Sequence, residues 1–353
     1  MTERGDVFAT PGEINDEPGN GSSTRAAMTI ILRCLVTAAL SAAALTLGHS
    51  VWAQAYPIRP VRLVAPFPAG GTTDVNARTL IAQLERQLGQ PIVVDNRAGA
   101  NGIIGTEIVA RAAPDGHTLL YVSSSMALNP SIYRKLPYDP VKDFVPVAQV
   151  AAMVGFLLIA HPSLPANSIR ELIVVAQGKD SKIAFGSFGH GNASHLAAEV
   201  FKLHTGTQML HVPYKGSGLA VNALLGGEVQ LLFGPPTVFV EHVKAGKLRA
   251  LGFSGASRWA LMPEVPTLAE TVPGLHITAG WDSVFAPSRV SDDIVARLST
   301  EIRKALQTPR VREFLVNGGY EPVGSAPQEF RQFFQSELKR YAQIVRDANI
   351  QAE

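Results

Sequence analysis

Between residues 61 and 122, three apolar runs of strand length alternate with two stretches of helical periodicity, an order that few folds accept. The pattern predicts a strand at 61–67, a helix at 73–88, a strand at 91–95, a helix at 102–112 and a strand at 118–122. Strands separated by amphipathic helices pair in parallel, and the helices cover the sheet. Pro68, Gly70 and Gly71 join the first strand to its helix, with no basic side chain in the turn. Glycine adopts backbone conformations closed to other residues, and a helix start presents unpaired N–H groups, so this turn is suited to hold an anion.

A second set of units follows the long apolar run at 147–160 and the punctuating Pro162 and Pro165. It comprises a helix at 168–177, a strand at 182–186, a helix at 193–205, a strand at 208–212, a helix at 217–225, a strand at 229–233, a helix at 236–245 and a strand at 248–253. After the apolar segment 280–288 come three helical signals and no strong strand. Ser291, Asp292 and Asp293 open the first, with Ile294, Val295, Leu298, Ile302 and Leu306 on one face. Phe330, Phe333, Phe334, Leu338, Tyr341 and Val345 form another such stripe. These faces need a surface to cover, and the first domain is the nearest. The chain is therefore expected to cross out near 150–158 and return near 278–286. That gives one lobe from residues 56–155 and 281–353, a second from 156–280, and a cleft where small ligands bind.

Residues 33–55 carry a basic residue, an uncharged run and Ala53 and Ala55 around Gln54, the order of a cleavable export signal. Residues 1–55 are thus excluded from the fold, with residues 1–27, ahead of Met28, read as an upstream segment from a misassigned start. The apolar run is too short to span a bilayer comfortably. Cys34, the only cysteine, precedes that run, so the expected mature chain has neither disulfide nor thiol nucleophile and no lipid anchor. An exported protein of this kind fits a periplasm. The remaining 298 residues hold 28 basic and 24 acidic side chains and show no Lys/Arg cluster with interleaved aromatics, so nucleic acid is not an expected partner.

Several loops carry chemistry in two senses. Residues 69–74 form either an ordinary tight turn or an anion cradle, and Asp74 reads most simply as a helix-start residue. The second glycine cluster, Gly99-x-x-Gly102-x-x-Gly105, is not the dinucleotide fingerprint, and no phosphate loop with its lysine occurs. Ser123, Ser124 and Ser125 follow the third strand, so at least one hydroxyl should face the same crevice. In the second domain Gly186 to His195 repeats the logic, with Ser187, Asn192 and Ser194 as donors or as plain helix caps. His190, His195 and Glu199 lack a complete ligand set, so no metal is expected. There is no nucleophile elbow, Asp95, Asp115 and Asp282 are separated singles, and Tyr214 either leans over the cleft or packs at a strand end.

Seven segments in order, YPIRPVRLVAPFPAGGTTD, GQPIVVDNRAGANGIIGT, PDGHTLLYVSSS, the Pro137-Tyr138-Asp139 turn, HVPYKGSG, LLGGEVQLLF and PEVPTLAE, resemble the Bug-type periplasmic solute receptors of tripartite tricarboxylate transporters. The resemblance implies an α/β, two-lobed class II periplasmic-binding-protein fold. Each lobe is expected to be a mixed, mostly parallel sheet flanked by helices, with two crossover strands at the hinge. It implies a cofactor-free, non-enzymatic monomer in the periplasm that captures a small organic carboxylate and delivers it to membrane permease components. A carboxylate sensor feeding a signalling system is the alternative, and a cleft enzyme such as a hydrolase the weaker one. Carried over by position, the first-lobe cradle is Phe67, Ala69, Gly70, Thr72 and Asp74, with Gly102 and Ser123 beside it. The second wall is Ser187, Gly189, Asn192 and Ser194, with Tyr214 and Gly216 beside it and His190 at a loop position that could tune the choice of ligand.

Overall fold

The computed structural model describes residues 56–353 except 179, 180, 276, 278, 279, 349 and 351–353, together with Met28 and Arg33. The expected export signal, apart from Arg33, and Cys34 lie outside the described residues. So do residues 278 and 279, where the return crossing was expected to begin. The strands are β1 (Val61–Ala65), β2 (Ile92–Asn96), β3 (Thr118–Ser123), β4 (Phe144–Met153), β5 (Leu157–Ala160), β6 (Ala184–Ser187), β7 (Leu210–Pro213), β8 (Leu231–Gly234), β9 (Arg249–Phe253), β10 (Trp281–Pro287) and β11 (Tyr320–Pro322). β1 stops at Ala65 because Pro66 and Pro68 lack the N–H a ladder needs.

The strands form two sheets, ordered β11-β4-β10-β3-β1-β2 and β7-β6-β8-β5-β9. Parallel pairing is confined to β2-β1-β3 and β7-β6-β8 and the other pairs are antiparallel, so both sheets are mixed, with most strands of each running in one direction as expected. The reversed strands are β10 and β11 in the first sheet and β5 in the second, each paired antiparallel to its neighbours. Both faces of each sheet are covered. Leu80, Leu84, Leu298 and Ile302 pack on one face of the first sheet, and Met126, Phe330 and Phe334 on the other. Phe201 and Leu172 cover one face of the second sheet, Leu224 and Phe239 the other.

Differences from expectation are local. Residues 236–245 form a 3-10 turn, Pro236–Val238, and a short helix, Val240–Lys244, because Pro235 and Pro236 remove donors. The helix Ser125–Ile132 carries Pro130 and no clear stripe, and β11 has three residues, so neither announced itself by periodicity. At the crossing, a Cβ on Gly155 would lie 2.6 Å from Gly255 N, and one on Gly255 2.7 Å from Val154 O. Two chain segments therefore lie flush where the lobes join.

Candidate functional site

The cleft contains two adjoining cavities. The inner one encloses about 610 Å³, the space at its mouth included, and the outer one about 1070 Å³; both are bordered by Phe67, Pro68, Phe188 and Gly216. The inner cavity receives the first turns of four helices: Thr72–Leu88, Ser125–Ile132, Ala193–Thr205 and Ser217–Leu225. Each start carries outward N–H groups and the positive end of a peptide dipole array. No Lys, Arg or His lines this cavity, whose walls are Phe67, Met153, Phe156, Phe188 and Trp281.

The Pro-Gly-Gly turn is built by internal bonds. Gly70, in the left-handed region at φ 74, donates from its N–H to Asp74 Oδ2 at 2.8 Å, and Gly71 N donates to Pro68 O at 3.2 Å. Asp74 also accepts from Arg78 Nε at 3.0 Å and Asn96 Nδ2 at 2.9 Å, and is buried. Burial raises its pKa, but the bonds from Arg78, Gly70 and Asn96 outweigh burial and hold the carboxyl below its ordinary range. Asp74 thus braces the turn from behind, and Ala69 and Gly70 line neither cavity. What faces the inner cavity is Gly71, Thr72 and Thr73. No side chain caps this helix, and its first internal bond is Val75 N to Gly71 O at 3.0 Å. Thr72 Oγ1 is buried without a hydrogen-bond partner.

Ser123 and Ser124 line the inner cavity at the end of β3, and Ser123 Oγ lies 3.3 Å from Ser125 Oγ. Gly102 lines the outer cavity, where a Cβ would meet Phe67 Cζ at 3.3 Å. Asn192 lines the inner cavity while its Oδ1 accepts from Ser194 N and Oγ, capping its helix. Ser194 is buried, and its Oγ accepts from Phe188 N at 2.9 Å. Ser187 is also buried, donating to Gly189 O at 3.0 Å and lying 2.6 Å from His211 Nε2. The structure therefore places Ser187 and Ser194 behind the second loop, as its supports. Gly189 and Tyr214 border the outer cavity with His190 and Lys215, and Tyr214 OH donates to Glu228 at 3.4 Å.

Behind Ser187, the rings of His195 and His211 stack with centroids 3.8 Å apart, and His190 stands 5.1 Å from His195. Burial, then repulsion from His195 and His190, pulls His211 down to about 3. Among the described residues no group of three His, Cys, Asp or Glu side chains is disposed to hold a metal ion.

Sequence reasoning set Asp282 aside as an isolated carboxylate, yet it lines the inner cavity with only 3% of its surface exposed. In register it stands opposite Ser123. Its Oδ2 accepts from Asn76 Nδ2 at 2.8 Å and Tyr121 OH at 3.4 Å. Burial raises it to about 6, against the lowering effect of those two bonds. The available signal was a single charge inside an otherwise uncharged strand.

Residues 76–350 match a family described as tripartite tricarboxylate transporter family receptors. The chain belongs to that family. Protein BugT of Bordetella pertussis is 38% identical over 317 residues, which cover 89% of this chain and 97% of BugT. The solved structure of Rpa4515 from R. palustris with adipate is similar to this receptor at a TM-score of 0.80 and 35% identity, covering 84% of this chain and all of that one. MatC of Rhodopseudomonas palustris with bound malate gives 0.76 and 32%, covering 82% of this chain and all of MatC. The two-lobed periplasmic-binding-protein fold expected of the family is the fold observed here.

Proposed function

We propose that the receptor closes its two lobes, residues 56–155 with 281–353 and residues 156–280, on a small organic carboxylate and delivers it to membrane permease components. The observation that carries this reading is the inner cavity itself: four helix starts converge where no cationic side chain stands, and Thr72 Oγ1 is buried there without a partner. Amides at helix starts, with a hydroxyl, are donors matched to a carboxylate. The ligand's head is assigned to the Thr72 and Thr73 amides, Thr72 Oγ1 and Ser123, with Asn192 from the other lobe. Its carbon skeleton is assigned to Phe67, Phe156 and Phe188. The relatives solved with adipate and malate support the ligand class.

The lobes already touch across the cleft. A Cβ on Gly216 would stand 3.1 Å from Pro68 Cγ, and one on Gly319 2.7 Å from Pro236 Cγ. Contacts of this kind favour the closed form in themselves, and a ligand adds to that preference through those of its own contacts that need both lobes. Export by a signal cleaved after Ala53 or Ala55, and action as a monomer, complete the reading. No described helix is long and apolar enough to cross a membrane.

The observation that favours an enzyme is the Ser187–His211 pair at 2.6 Å, the spacing of a nucleophile and its base. Ser187 is fully buried and lines neither cavity, so a substrate in the cleft would not reach it. A thermal-shift screen of the mature protein against mono-, di- and tricarboxylates, followed by solution scattering with the best one, tests the proposal. It expects a raised melting temperature and a smaller radius of gyration; a screen without a shift, or turnover of a bound acid, counts against it.

A further inference from the structure

Asp282 is the one acidic side chain lining the inner cavity, among the described residues. It sits on β10, between β3 and β4, at the end of the sheet where the helix starts converge. Its carboxylate is half satisfied: Oδ2 accepts from Asn76 and Tyr121, while Oδ1 has no hydrogen-bond partner among the described residues. A buried carboxylate is stable only when its lone pairs are met, and the lining that remains is apolar or hydroxylic apart from the Asn192 amide. Asn76, its partner, lies one helical turn beyond Thr72. The same helix therefore offers its anion-binding start to the cavity and, one turn on, holds the acceptor at Asp282 through Asn76.

We infer that Asp282 makes the inner cavity selective for carboxylates that also carry a hydrogen-bond donor, a hydroxyl or an ammonium, against acids whose second group is an ionised carboxylate. This rests on the carboxylate-receptor reading above. A donor completes the coordination of Oδ1. A second carboxylate placed there would bring two like charges together in a dry site, and one of them would have to take up a proton. Sites built to pair a polar group discriminate strongly against ligands that leave it unpaired. With its carboxyl pushed up to about 6, Asp282 is chiefly ionised at pH 7.5 and acts there as an acceptor. The preference would set this chain apart from the relative solved with adipate, a diacid.

The test is calorimetric titration at pH 7.5 of the mature wild-type protein and Asp282→Asn with matched four- and six-carbon acids. Their far ends are methyl, hydroxyl, ammonium or carboxylate. The wild type should bind the hydroxyl or ammonium acid of one length at least tenfold more tightly than the matched diacid. In Asp282→Asn, whose amide can still accept from Asn76 but turns a donor toward the cavity, that margin should vanish or reverse. Binding of these acids with the diacid equal or preferred in the wild type overturns the inference and leaves the receptor reading standing. So does a wild-type margin that Asp282→Asn keeps. If no acid of either length binds the wild type, the inference fails together with the reading beneath it. The wild-type ranking decides the matter even if the variant folds poorly.

Discussion

The side-chain amide of Asn101 donates to the carbonyl oxygen of Gly191 at 3.2 Å, tying a glycine turn of the first lobe to the ligand loop of the second. Asn101 is held in the left-handed region at φ 49, and its Nδ2 also donates to Asn129 Oδ1 at 2.8 Å. Gly191 sits at φ 65, where a Cβ would come within 2.6 Å of Ile132 Cγ2 on the first lobe. Closure is therefore read at one point by a hydrogen bond and by a side chain that is missing.

Asn101→Gly keeps the backbone free to adopt its conformation and removes the latch. The loss of an interlobe hydrogen bond is worth about 1 kcal/mol, so carboxylate affinity should fall roughly fivefold in titration calorimetry. Gly191→Ala should act more strongly, through strain and the clash with Ile132, and leave a larger radius of gyration in the presence of ligand. Unchanged affinity in both variants would remove this contact from the closing motion.

Thr72→Val replaces a buried, unpartnered hydroxyl by a methyl group of the same shape. An orphan polar group costs about 1–3 kcal/mol when left unpaired, so the ligand-free protein should gain stability in urea melts while carboxylate affinity drops. Opposite signs in the two measurements are the signature of a hydroxyl kept for a ligand. A loss of both would mark it as structural.

Asp282 predicts a pH dependence of stability. Its folded pKa, about 6, exceeds its ordinary 3.8, so the folded state binds the proton more tightly. The resulting stabilisation is present in full below about pH 4 and is lost as pH rises through about 6. Relative to Asp282→Asn, the wild type should lose about 2 kcal/mol between pH 4.5 and 7.5, measured by denaturant unfolding at both values.

His211 works in the other direction. Its folded pKa, about 3, lies below the ordinary 6.5, so its contribution is present above about pH 6.5 and is lost as pH falls toward 3. The slope is at most about 1.4 kcal/mol per pH unit and smaller here, because the ring is only partly buried. His211→Gln should therefore be less stable than the wild type at pH 7.5, and the gap should narrow by pH 5. A gap that stays constant with pH would show that His211 serves Ser187 by packing alone.

Much of the fold was legible in the sequence because periodicity records which face of an element is buried. The helices Thr72–Leu88 and Ala193–Thr205 stand close to where their apolar patterns placed them. Strand order was not legible, since it depends on which strands, β10 and β5 among them, are inserted between others, and no local pattern encodes that. The loops were found, but the roles within them were not. Asp74 looks like a ligand at a helix start until Gly70, Arg78 and Asn96 are seen to consume its oxygens. Ser187 looks like a donor until His211, distant in sequence, is found at 2.6 Å.

By itself the sequence determined the element types, the two lobes' worth of apolar stripes, and the glycine turns that lead strands into helices, because these follow from local sterics and hydrophobic period. Which amides remain free and which are spent inside a turn was decided only by tertiary packing, as was the placement of Asp282 beside Ser123. Burial and hydrogen-bond satisfaction are properties of the assembled neighbourhood. A carboxylate in the first turn of a helix and a lone aspartate in a strand exchange their apparent roles once that neighbourhood forms.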